Sequence, residues 1–485
     1  MNSRPALNSL LFLNLILATQ LFFSCNRNVE NKDSYIKEDN QPPNFIFILA
    51  DDQGWNGTSV QMMQNEPLSK SDYHETPNLE VLAENGIKFS NAYSAAPVCA
   101  PSRYGIQFAK SPARLSLIRV GMNTDHIEHS STVSIPRALK AIDKNYSAAH
   151  FGKWGMGSNP EEFGYDVSDG ATKNKDGGFV NDRTQWENSI QKDPKKIFDL
   201  TKKGIDFIEE SVVNKKPFFL QISHYAVHAN LEMKEKSLLK FENKKKGEQH
   251  INAGFAAMTQ DLDEGLGRIL SKIETLGIAQ NTYVIYMSDN GSVPNIPGAK
   301  KYTKSYNYPL SRGKWDAMEG GVRVPLIISG PSIKPGRESS VPVSGCDILP
   351  TIIELAGGVA NQLEEIDGGS FKTILFNESA RTISRQVEGI FFHVPYKNGI
   401  AFKRPHSAVR VGKYKLVKFN DNEEVMLFDL ESDYHELSDL SLEQPEKTRA
   451  LEQILNDYLT MVHAPKWKEG ITWKKTPIKE INSTY

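Results

Sequence analysis

Four short apolar runs constrain the fold of this chain more than any other feature. Each is rich in β-branched or aromatic residues, which is typical of a central strand buried on both faces. The runs are NFIFILA (44–50), PFFLQIS (217–223), TYVIYMS (282–288) and VPLIIS (324–329). Helical periods separate them, as in TPNLEVLAENG, where Thr76 is the predicted N-cap, Pro77 the first helical residue and Gly86 the stop. The alternation predicts an α/β fold with a large, mostly parallel sheet sandwiched between helical layers.

The pattern changes towards the C-terminus, from residue 385 onwards. HSAVRVGKYKLVKF and EVMLFDL alternate apolar and polar residues, which predicts a hairpin of a half-exposed antiparallel sheet. The segment SLEQPEKTRALEQILNDYLTMV follows with a helical period. We therefore expect a main domain over 44–384 and a smaller C-terminal α+β domain, built on an antiparallel sheet, over 385–485.

The first 24 residues indicate an export signal. The apolar stretch from Leu10 to Phe23 is short for a membrane span and suits a signal-peptide core. It ends at Ser24-Cys25, which resembles a bacterial lipoprotein signal cleaved before a lipid-modified cysteine. The alternatives are an ordinary signal peptide with an incidental cysteine, or an uncleaved anchor. Residues 25–43 have almost no apolar content and predict a flexible tether.

These features predict an exported bacterial lipoprotein, in the periplasm or at the outer membrane or cell surface. It would touch the membrane only through a lipid anchor at Cys25. The formal net charge is −2 at pH 7 and no basic block is present, so nucleic acid is not an expected partner. Nothing in the sequence indicates an oligomeric state.

Two cysteines remain beyond Cys25. Cys99 and Cys346 could form a disulfide, and their positions in the sequence do not exclude it. Cys346 begins the amphipathic segment CDILPTIIELAGG, which favours a buried and unpaired cysteine there.

Polar side chains follow two of the predicted strands at the point where each strand ends. The first run leads into Asp51 and Asp52, and the third into Asp289 and Asn290. Each pair alone is also a good turn sequence. Ligands gather beyond the carboxyl ends of strands in open α/β sheets, so the two pairs together predict a site for a hard divalent cation, with Ca²⁺ the natural choice.

Several stretches together match one protein family. They are CAPSR (99–103), ILADDQG, SDNG, SRGKWDAMEGGVRVPLIISGP (311–331), DILPTIIELAG and the C-terminal VRVGKYKLVKF and MLFDLESDYHELSDL. With these motifs the chain resembles the type I, formylglycine-dependent sulfatases of the alkaline-phosphatase-like superfamily. The resemblance runs from Asn44 to the last predicted helix. It implies the sulfatase fold, and it makes 44–384 the catalytic domain of a protein similar to bacterial polysaccharide sulfatases.

The resemblance implies a modified residue and a metal site. Cys99 of the CAPSR motif would be oxidised to Cα-formylglycine by a formylglycine-generating maturation enzyme. One Ca²⁺ ion would be held by the modified residue 99 and by Asp51, Asp52, Asp289 and Asn290.

The resemblance also implies four residues that handle the substrate. Arg103 would hydrogen-bond the formylglycine hydrate, and Lys153 and Lys314 would bind sulfate oxygens. His228 would contact the sulfate or protonate the leaving alcohol. One hydroxyl of the hydrate would attack sulfur, and the second would then lose its proton and expel sulfate, which is covalent catalysis with its own release step.

Two positions depart from the family pattern. Where relatives have Gly-Lys-Trp-His-x-Gly, this chain has Gly155 in place of the histidine. His150 or His224 could replace it, although packing roles for both are favoured. The tail behind the cysteine motif reads GIQFAKSPARLSL, where relatives have a Leu-x-Thr-Gly turn that helps the maturation enzyme recognise the chain.

The expected function is hydrolysis of a sulfate ester on an algal or animal polysaccharide or oligosaccharide. A phosphate ester hydrolase of the same superfamily and a sulfoglycan-binding homologue without turnover are the alternatives. Two segments could contact sugar: loop 159–190, which carries the aromatic residues Phe163, Tyr165, Phe179 and Trp186, and the basic, aromatic stretch KYTKSYNYPLSRGK before Lys314. A structural role for the loop aromatics is the alternative.

Overall fold

All four apolar runs form strands of one eight-stranded sheet at the centre of the fold. The computed structural model describes residues 41–298, 305–398 and 404–469. The predicted signal peptide, Cys25 and all of the predicted tether before residue 41 lie outside the described residues. Within the described ranges, no helix combines the length and the apolar character needed to cross a membrane.

The bounds of the strands and helices are as follows. The strands are β1 (Asn44–Ala50), β2 (Gly86–Phe89), β3 (Ala92–Tyr93), β4 (Ser147–Gly152), β5 (Val167–Ser168), β6 (Ser189–Ile190), β7 (Phe218–Ser223), β8 (Glu232–Met233), β9 (Thr282–Ser288), β10 (Leu326–Ser329), β11 (Arg337–Ser339), β12 (Val343–Ser344), β13 (Ile390–Val394), β14 (His406–Val411), β15 (Tyr414–Phe419) and β16 (Val425–Asp429). The α-helices are α1 (Pro77–Glu84), α2 (Cys99–Phe108), α3 (Ile135–Ile142), α4 (Ile197–Val213), α5 (Glu235–Asn243), α6 (Ala253–Thr275), α7 (Glu319–Val322), α8 (Ile348–Leu355), α9 (Lys372–Phe376) and α10 (Pro445–Met461).

The central sheet is mixed and mostly parallel, as predicted. Its strand order is β11-β2-β10-β9-β1-β7-β4-β5. Strand β10 runs antiparallel to its neighbours β9 and β2, and the other pairs of this sheet are parallel. The parallel strands β1, β4, β7 and β9 therefore direct their carboxyl ends to the same edge.

Alternate side chains of β1 enter two different cores. Phe45, Phe47 and Leu49 join a cluster with residues of α2, α3 and α8. Ile46 and Ile48 join a second cluster with residues of α1, α4 and α6. All five side chains are fully buried, and each contributes about 1.5–3 kcal/mol by its removal from water. Two helical layers thus fix β1 on both faces, which is why a continuous apolar run forms this strand.

Helix α1 begins at Pro77 as predicted, but the residue that caps it comes from another helix. Thr76 stands at the N-cap position without a capping hydrogen bond, and its hydroxyl accepts from the N–H of Ser59 at 3.0 Å. Two N–H groups of the first turn donate instead to the Asp263 carboxylate of α6, at 3.0 and 2.8 Å. The helix ends at Glu84 with Asn85 as its C-cap, so the predicted stop at Gly86 is confirmed, and Gly86 is also the first residue of β2.

The C-terminal strands β13 to β16 form a four-stranded antiparallel sheet with α10 on one face. Val409 and Leu416 pack in a cluster with α10, whereas Ala408 and Val417 face a second cluster that includes residues of β13. The prediction of a half-exposed sheet is wrong, since both faces are covered. The alternating pattern gave the wrong prediction because some of its polar residues, such as Lys415, are fully buried in ion pairs.

Cys99 and Cys346 are both buried and free, so the disulfide that the sequence left open is absent from the described residues. Cys346 lies in the turn that leads into α8, and its predicted burial is confirmed.

Candidate active site

The parallel register brings the polar residues after each strand to one edge of the sheet. Ala50 and Ser288, the last residues of β1 and β9, are register partners, so Asp51 and Asp289 follow side by side. Lys153 follows β4 and donates its N–H to the last carbonyl of β7 at 2.7 Å. The ends of four strands therefore converge on one site.

Four of the predicted ligands form a compact group. Asp51, Asp52, Cys99 and Asp289 are buried and each offers one ligand atom, all within 4.8 Å of one another. Among the described residues, Oδ1 of Asp51 and Oδ1 of Asn290 are buried without a hydrogen-bond partner. Such acceptors are costly to bury, and a hard cation would satisfy both. Three carboxylates and an amide oxygen therefore fit Ca²⁺.

Asp52 is the best connected member of this group. Its backbone is left-handed, with a φ of 61°, and its N–H donates to Asp289 Oδ1 at 3.2 Å. Its carboxylate accepts from Lys314 Nζ at 2.6 and 2.7 Å and from Asn290 Nδ2 at 2.8 Å. A left-handed residue that is not glycine costs about 1–2 kcal/mol. These contacts hold Asp52 in that conformation, as is common at functional sites.

Cys99 is the first residue of α2 and faces the same group. The preceding Val98 is extended, so the helix begins directly at the cysteine, whose side chain is nearly buried. Its Sγ lies 3.8 Å from Asp52 Oδ1. Burial raises the pKa of the Cys99 thiol to about 12, against the opposing effect of Lys153 and Lys314. A protonated thiol is a poor nucleophile, so the unmodified side chain is poorly suited to attack.

Arg103 lies one helical turn beyond the cysteine, on the same face of α2. Its Nε donates to Asp289 Oδ2 at 2.9 Å, and its Nη1 donates to the carbonyl oxygen of Lys153. Burial alone would lower the pKa of Arg103, but Asp289 and Asp51 outweigh this and raise it. A charged arginine thus joins α2 to the ends of β4 and β9.

Each of the two predicted sulfate-binding lysines pairs with one aspartate. Lys153 Nζ lies 2.5 Å from Asp51 Oδ2, and Lys314 Nζ lies 2.6 Å from Asp52 Oδ1. Burial disfavours the charged lysines, yet Asp51 raises the pKa of Lys153 and Asp52 raises the pKa of Lys314 above the usual range. Burial likewise raises the pKa of both aspartates, but the lysines outweigh it and lower the pKa of each.

The buried charges of the site balance one another. Three carboxylates face three cationic side chains, and these are Asp51, Asp52, Asp289, Arg103, Lys153 and Lys314. A divalent cation would add two positive charges to this neutral set. The site with its metal would therefore attract an anionic group.

The ring of His228 lies beside Asp52, with Nε2 3.7 Å from Oδ2. Its Nδ1 lies 2.7 Å from the carbonyl oxygen of Ala229. A carbonyl can only accept, so the neutral ring carries its proton on Nδ1 and turns Nε2 towards the site. Burial lowers the pKa of His228 to about 4, against the opposing effect of Asp52. The ring of Phe179 meets the imidazole edge-on, with centroids 4.7 Å apart.

Gly155, the position at which the sequence departs from the expected family motif, lies beside Arg103. A Cβ on Gly155 would lie 3.5 Å from Arg103 Cδ, and its φ of 73° is left-handed. His150 lies in the core instead, with Nε2 3.0 Å from Ser223 Oγ, and His224 is buried as well. Burial lowers the pKa of both histidines to about 3. Neither histidine lines the cavity described next.

A cavity of about 620 Å³ opens at the site and is lined by Cys99, Lys153, His228 and Lys314. We call it the site cavity. Phe179 also lines it, whereas Trp186 lines a neighbouring cavity of about 140 Å³.

Other sugar-contacting residues expected from the sequence lie elsewhere. Phe163 and Tyr165 are buried in the core, so their role is structural. The basic stretch before Lys314 is described only from residue 305, and its Tyr306 packs against His250 with ring centroids 4.6 Å apart.

Sequence reasoning missed three cationic residues of the site cavity, Arg119, Lys173 and Lys175. The only signal for the two lysines is the stretch TKNKDGG in the long loop after Lys153. Arg119 follows an apolar stretch and gives no signal of its own.

Comparisons with known proteins agree with this geometry. A protein-family model described as "Sulfatase" matches residues 43–359, and a second family model, described as "N-sulphoglucosamine sulphohydrolase, C-terminal", matches residues 314–464. The chain is 28% identical to N-acetylgalactosamine-6-sulfatase of Mus musculus over 364 residues, which are 68% of this chain and only 65% of that protein. It is 27% identical to a sulfatase of Formosa agariphila, over 84% of this chain and 86% of that protein.

Among solved structures, the fold is similar to that of Ps i-CgsB in complex with k-i-k-neocarrahexaose. The TM-score is 0.69 and the identity is 24%, over 86% of this chain and 93% of that chain. The sulfatase model covers well over half of the sequence and includes the candidate site residues from Asp51 to Lys314. This chain therefore belongs to the sulfatase family.

Proposed function

We propose that this protein hydrolyses a sulfate ester on a sulfated carbohydrate. The observation that carries the proposal is the charge-balanced cluster at the strand ends. Two buried oxygens of this cluster lack a hydrogen-bond partner within the part of the chain that the structure describes. A cluster that is neutral without a metal becomes an anion site with one. A sulfate monoester carries one negative charge and suits such a site.

Asp51, Asp52, Asp289, Asn290 and residue 99 would hold one Ca²⁺ ion. When bound, the ion supplies positive charge against a sulfate oxygen and lowers the cost of charge that develops during transfer. The orphaned oxygens of Asp51 and Asn290 support this ligand set.

Cys99 is proposed to act as Cα-formylglycine, made by a maturation enzyme. One hydroxyl of a hydrated aldehyde at residue 99 would attack sulfur while the bond between sulfur and the sugar oxygen breaks and the alcohol leaves. Deprotonation of the second hydroxyl would then break the C–O bond to the sulfate and restore the aldehyde. The raised pKa of the thiol supports the modified form, because the unmodified thiol stays protonated at neutral pH. Arg103, one turn along α2, contributes positive charge beside residue 99.

Lys153 and Lys314 are proposed to bind sulfate oxygens. Both line the site cavity and both are buried cations, so their charges are little screened. His228 lines the same cavity, and the carbonyl of Ala229 fixes its Nδ1 proton. Its Nε2 would thus be the nitrogen that, once it has taken up a proton, donates that proton to the leaving oxygen.

The decisive experiment measures the modification of residue 99 and sulfate release on the same protein. The protein is produced together with a formylglycine-generating enzyme, the peptide that contains residue 99 is examined by mass spectrometry, and sulfate release is measured on a panel of sulfated oligosaccharides. We expect an aldehyde at residue 99 and sulfate release that is lost in Cys99→Ala. An unmodified thiol, or equal sulfate release by Cys99→Ala, would contradict the mechanism.

The same panel separates the two alternatives. Among the described residues a single group of ligands could hold a metal, which favours a one-metal sulfatase over a two-metal phosphate ester hydrolase. Matched phosphate esters should therefore remain intact. Retention of sulfated oligosaccharide without sulfate release would instead identify a binding protein.

We also propose that the protein is exported and anchored through Cys25. The apolar stretch that ends at Ser24-Cys25 supports this. Growth with labelled palmitate and separation of membranes from soluble protein tests it. Label and membrane association should both be lost in Cys25→Ser, and a soluble, unlabelled wild-type protein would contradict the proposal.

A further inference from the structure

The site cavity carries more positive charge than a single sulfate ester needs. Of the described residues that line it, none is aspartate or glutamate, and five are lysine or arginine. Lys153 and Lys314 are ion-paired inside the catalytic cluster. Arg119, Lys173 and Lys175 lie outside that cluster but in the same cavity.

The two extra lysines differ from the catalytic ones in their surroundings. Lys173 and Lys175 are exposed, and within the described part of the chain neither has a carboxylate oxygen within 4.0 Å of its Nζ. The neighbouring Asp176 accepts the backbone N–H of Lys173 at 2.7 Å and does not line the cavity. Their charge therefore remains available to a ligand.

The segment that carries these lysines is fixed to the site. Lys195 Nζ donates to the carbonyl of Gly177 at 3.1 Å, and the N–H of Val180 donates to Asn230 Oδ1 at 2.9 Å. Phe179 lies edge-on against His228. The two lysines thus lie on a segment that packs against His228. Because this segment is already ordered, a ligand would lose less conformational entropy on binding to it.

Arg119 comes from a different segment of the chain. Its guanidinium lies 4.9 Å from the centre of the Tyr396 ring. A cation over an aromatic face is held in place by the ring. Arg119 therefore adds a third cation, from a second segment of the chain, to the two lysines.

We propose that Arg119, Lys173 and Lys175 form a second anion subsite, so that the preferred substrate carries a second anionic group near the reacting sulfate ester. This rests on the proposed function of the site. The second group is a sulfate ester or a carboxylate of the same sugar or of its neighbour, since both present charged oxygens to lysine and arginine. The apolar wall of the cavity, with Tyr104, Met156 and Trp315, suits the faces of the sugar rings.

The expected size of the effect follows from partly exposed ion pairs. Such pairs contribute little individually, and three of them together correspond to about tenfold in affinity. Salt should weaken the preference, because exposed charges are screened over about 8 Å at physiological ionic strength.

Turnover of matched substrates tests the subsite. N-acetylgalactosamine 6-sulfate offers one anion, its 4,6-disulfate adds a sulfate, and chondroitin 6-sulfate disaccharide adds a carboxylate. The ratio of kcat/KM between a two-anion substrate and the monosulfate should be about ten for the wild type and about two for Lys173→Gln/Lys175→Gln, in which Arg119 alone remains. The control is Lys215→Gln/Lys216→Gln, which changes two adjacent exposed lysines before β7, at the opposite edge of the sheet.

The control should keep the wild-type ratios. A ratio near one for the wild type with both two-anion substrates, or the same ratio in the subsite variant as in the wild type, would overturn the proposal. A preference for only the disulfate or only the uronate substrate identifies the second anion as sulfate or carboxylate.

Binding separates this proposal from the proposed function. Calorimetry on Cys99→Ala, which lacks the modified residue, measures affinity for the same three sugars at low and physiological salt. We expect a two-anion sugar to bind about tenfold more tightly, and Lys173→Gln/Lys175→Gln in the same background to keep only about a twofold difference. If no sulfate is released but this difference is found, the proposed function fails and the subsite stands. Equal affinities for all three sugars overturn the subsite even if sulfate is released.

Discussion

At the scale of single residues, Asp52 joins the candidate metal ligands to the candidate substrate groups. Its carboxylate accepts two hydrogen bonds from Lys314 and one from Asn290, and it lies 3.7 Å from His228 Nε2. Because the Asp52 carboxylate contacts all of these groups, its removal would change the charge balance of each of them. The consequence is largest for Lys314, because its charge is paired with Asp52 and buried.

The first prediction is that Lys314→Ala weakens both turnover and folding. Loss of one fixed donor to a developing anion costs about 10²–10³-fold in turnover. Loss of one partner of a buried ion pair costs about 3–5 kcal/mol of unfolding free energy. Sulfate release and denaturant unfolding in chelator measure the two effects.

Lys192→Ala is the control for this variant, since Lys192 is exposed. It should change neither quantity. Calcium should restore part of the lost stability of Lys314→Ala, because the ion compensates the charge of Asp52. Wild-type turnover in Lys314→Ala would contradict the role of the lysine.

The candidate site residues could be predicted from the sequence because they lie in contiguous motifs, several of them directly after recognisable strands. Asp51 and Asp289 follow β1 and β9, and the parallel register alone brings them together. Arg119 and Lys173 could not be predicted in this way. They reach the site cavity through loops, whose course depends on contacts such as that between Phe179 and His228.

At the scale of elements, α1 shows why local sequence gives the start of a helix but not its cap. Pro77 fixes the first turn, but the hydroxyl of Thr76 is already engaged with Ser59. The free N–H groups donate to Asp263, which is 184 to 185 positions away in the sequence. A partner that far away leaves no local pattern.

The second prediction concerns this cap between helices. Asp263→Ala leaves partly buried N–H groups without acceptors and should lower the unfolding free energy by about 1–3 kcal/mol. Asp263→Asn keeps one carbonyl acceptor and should lose less. Thermal and denaturant unfolding measure both, and equal stability of Asp263→Ala and the wild type would show that the cap contributes nothing.

The third prediction concerns the segment 311–322, which carries Lys314. Glu436, from the turn after β16, accepts from the hydroxyl of Ser311 and from the N–H of Glu319 at 2.8 Å. Its other oxygen accepts from Lys415 at 2.7 Å. These contacts lie on both sides of Lys314, so we expect Glu436 to position that lysine.

Glu436→Gln replaces one acceptor oxygen by an NH₂ group, which cannot accept from a backbone N–H. We expect kcat at saturating substrate to fall about tenfold, at a temperature where the variant remains folded, because a displaced cation stabilises transition-state charge less well. Ser311→Ala removes one donor only and should have a smaller effect. A fall in melting temperature with unchanged kcat would reduce Glu436 to a purely structural role.

At the scale of the whole molecule, two cores support one edge of the sheet. Residues of β1 alternate between the two clusters, and the site lies just beyond its last residue. This architecture could be predicted because apolar runs of strand length separated by helical periods admit few other folds. The cover over both faces of the C-terminal sheet could not, since buried ion pairs such as that of Lys415 look like exposed polar positions in the sequence.

The fourth prediction follows from one oxygen each of Asp51 and Asn290 that has no hydrogen-bond partner among the described residues. An ion that binds only the folded chain stabilises it by about 2.7 kcal/mol at a concentration one hundred times its Kd. Calcium should therefore raise the melting temperature of chelator-treated protein in a concentration-dependent way.

Asp52→Asn, which removes one ligand charge, should respond only at higher calcium. Magnesium should stabilise less at equal concentration, because it gives up its water reluctantly. A melting temperature that is indifferent to calcium and chelator would contradict a metal at these strand ends, and full sulfate release in chelator would exclude it from the reaction.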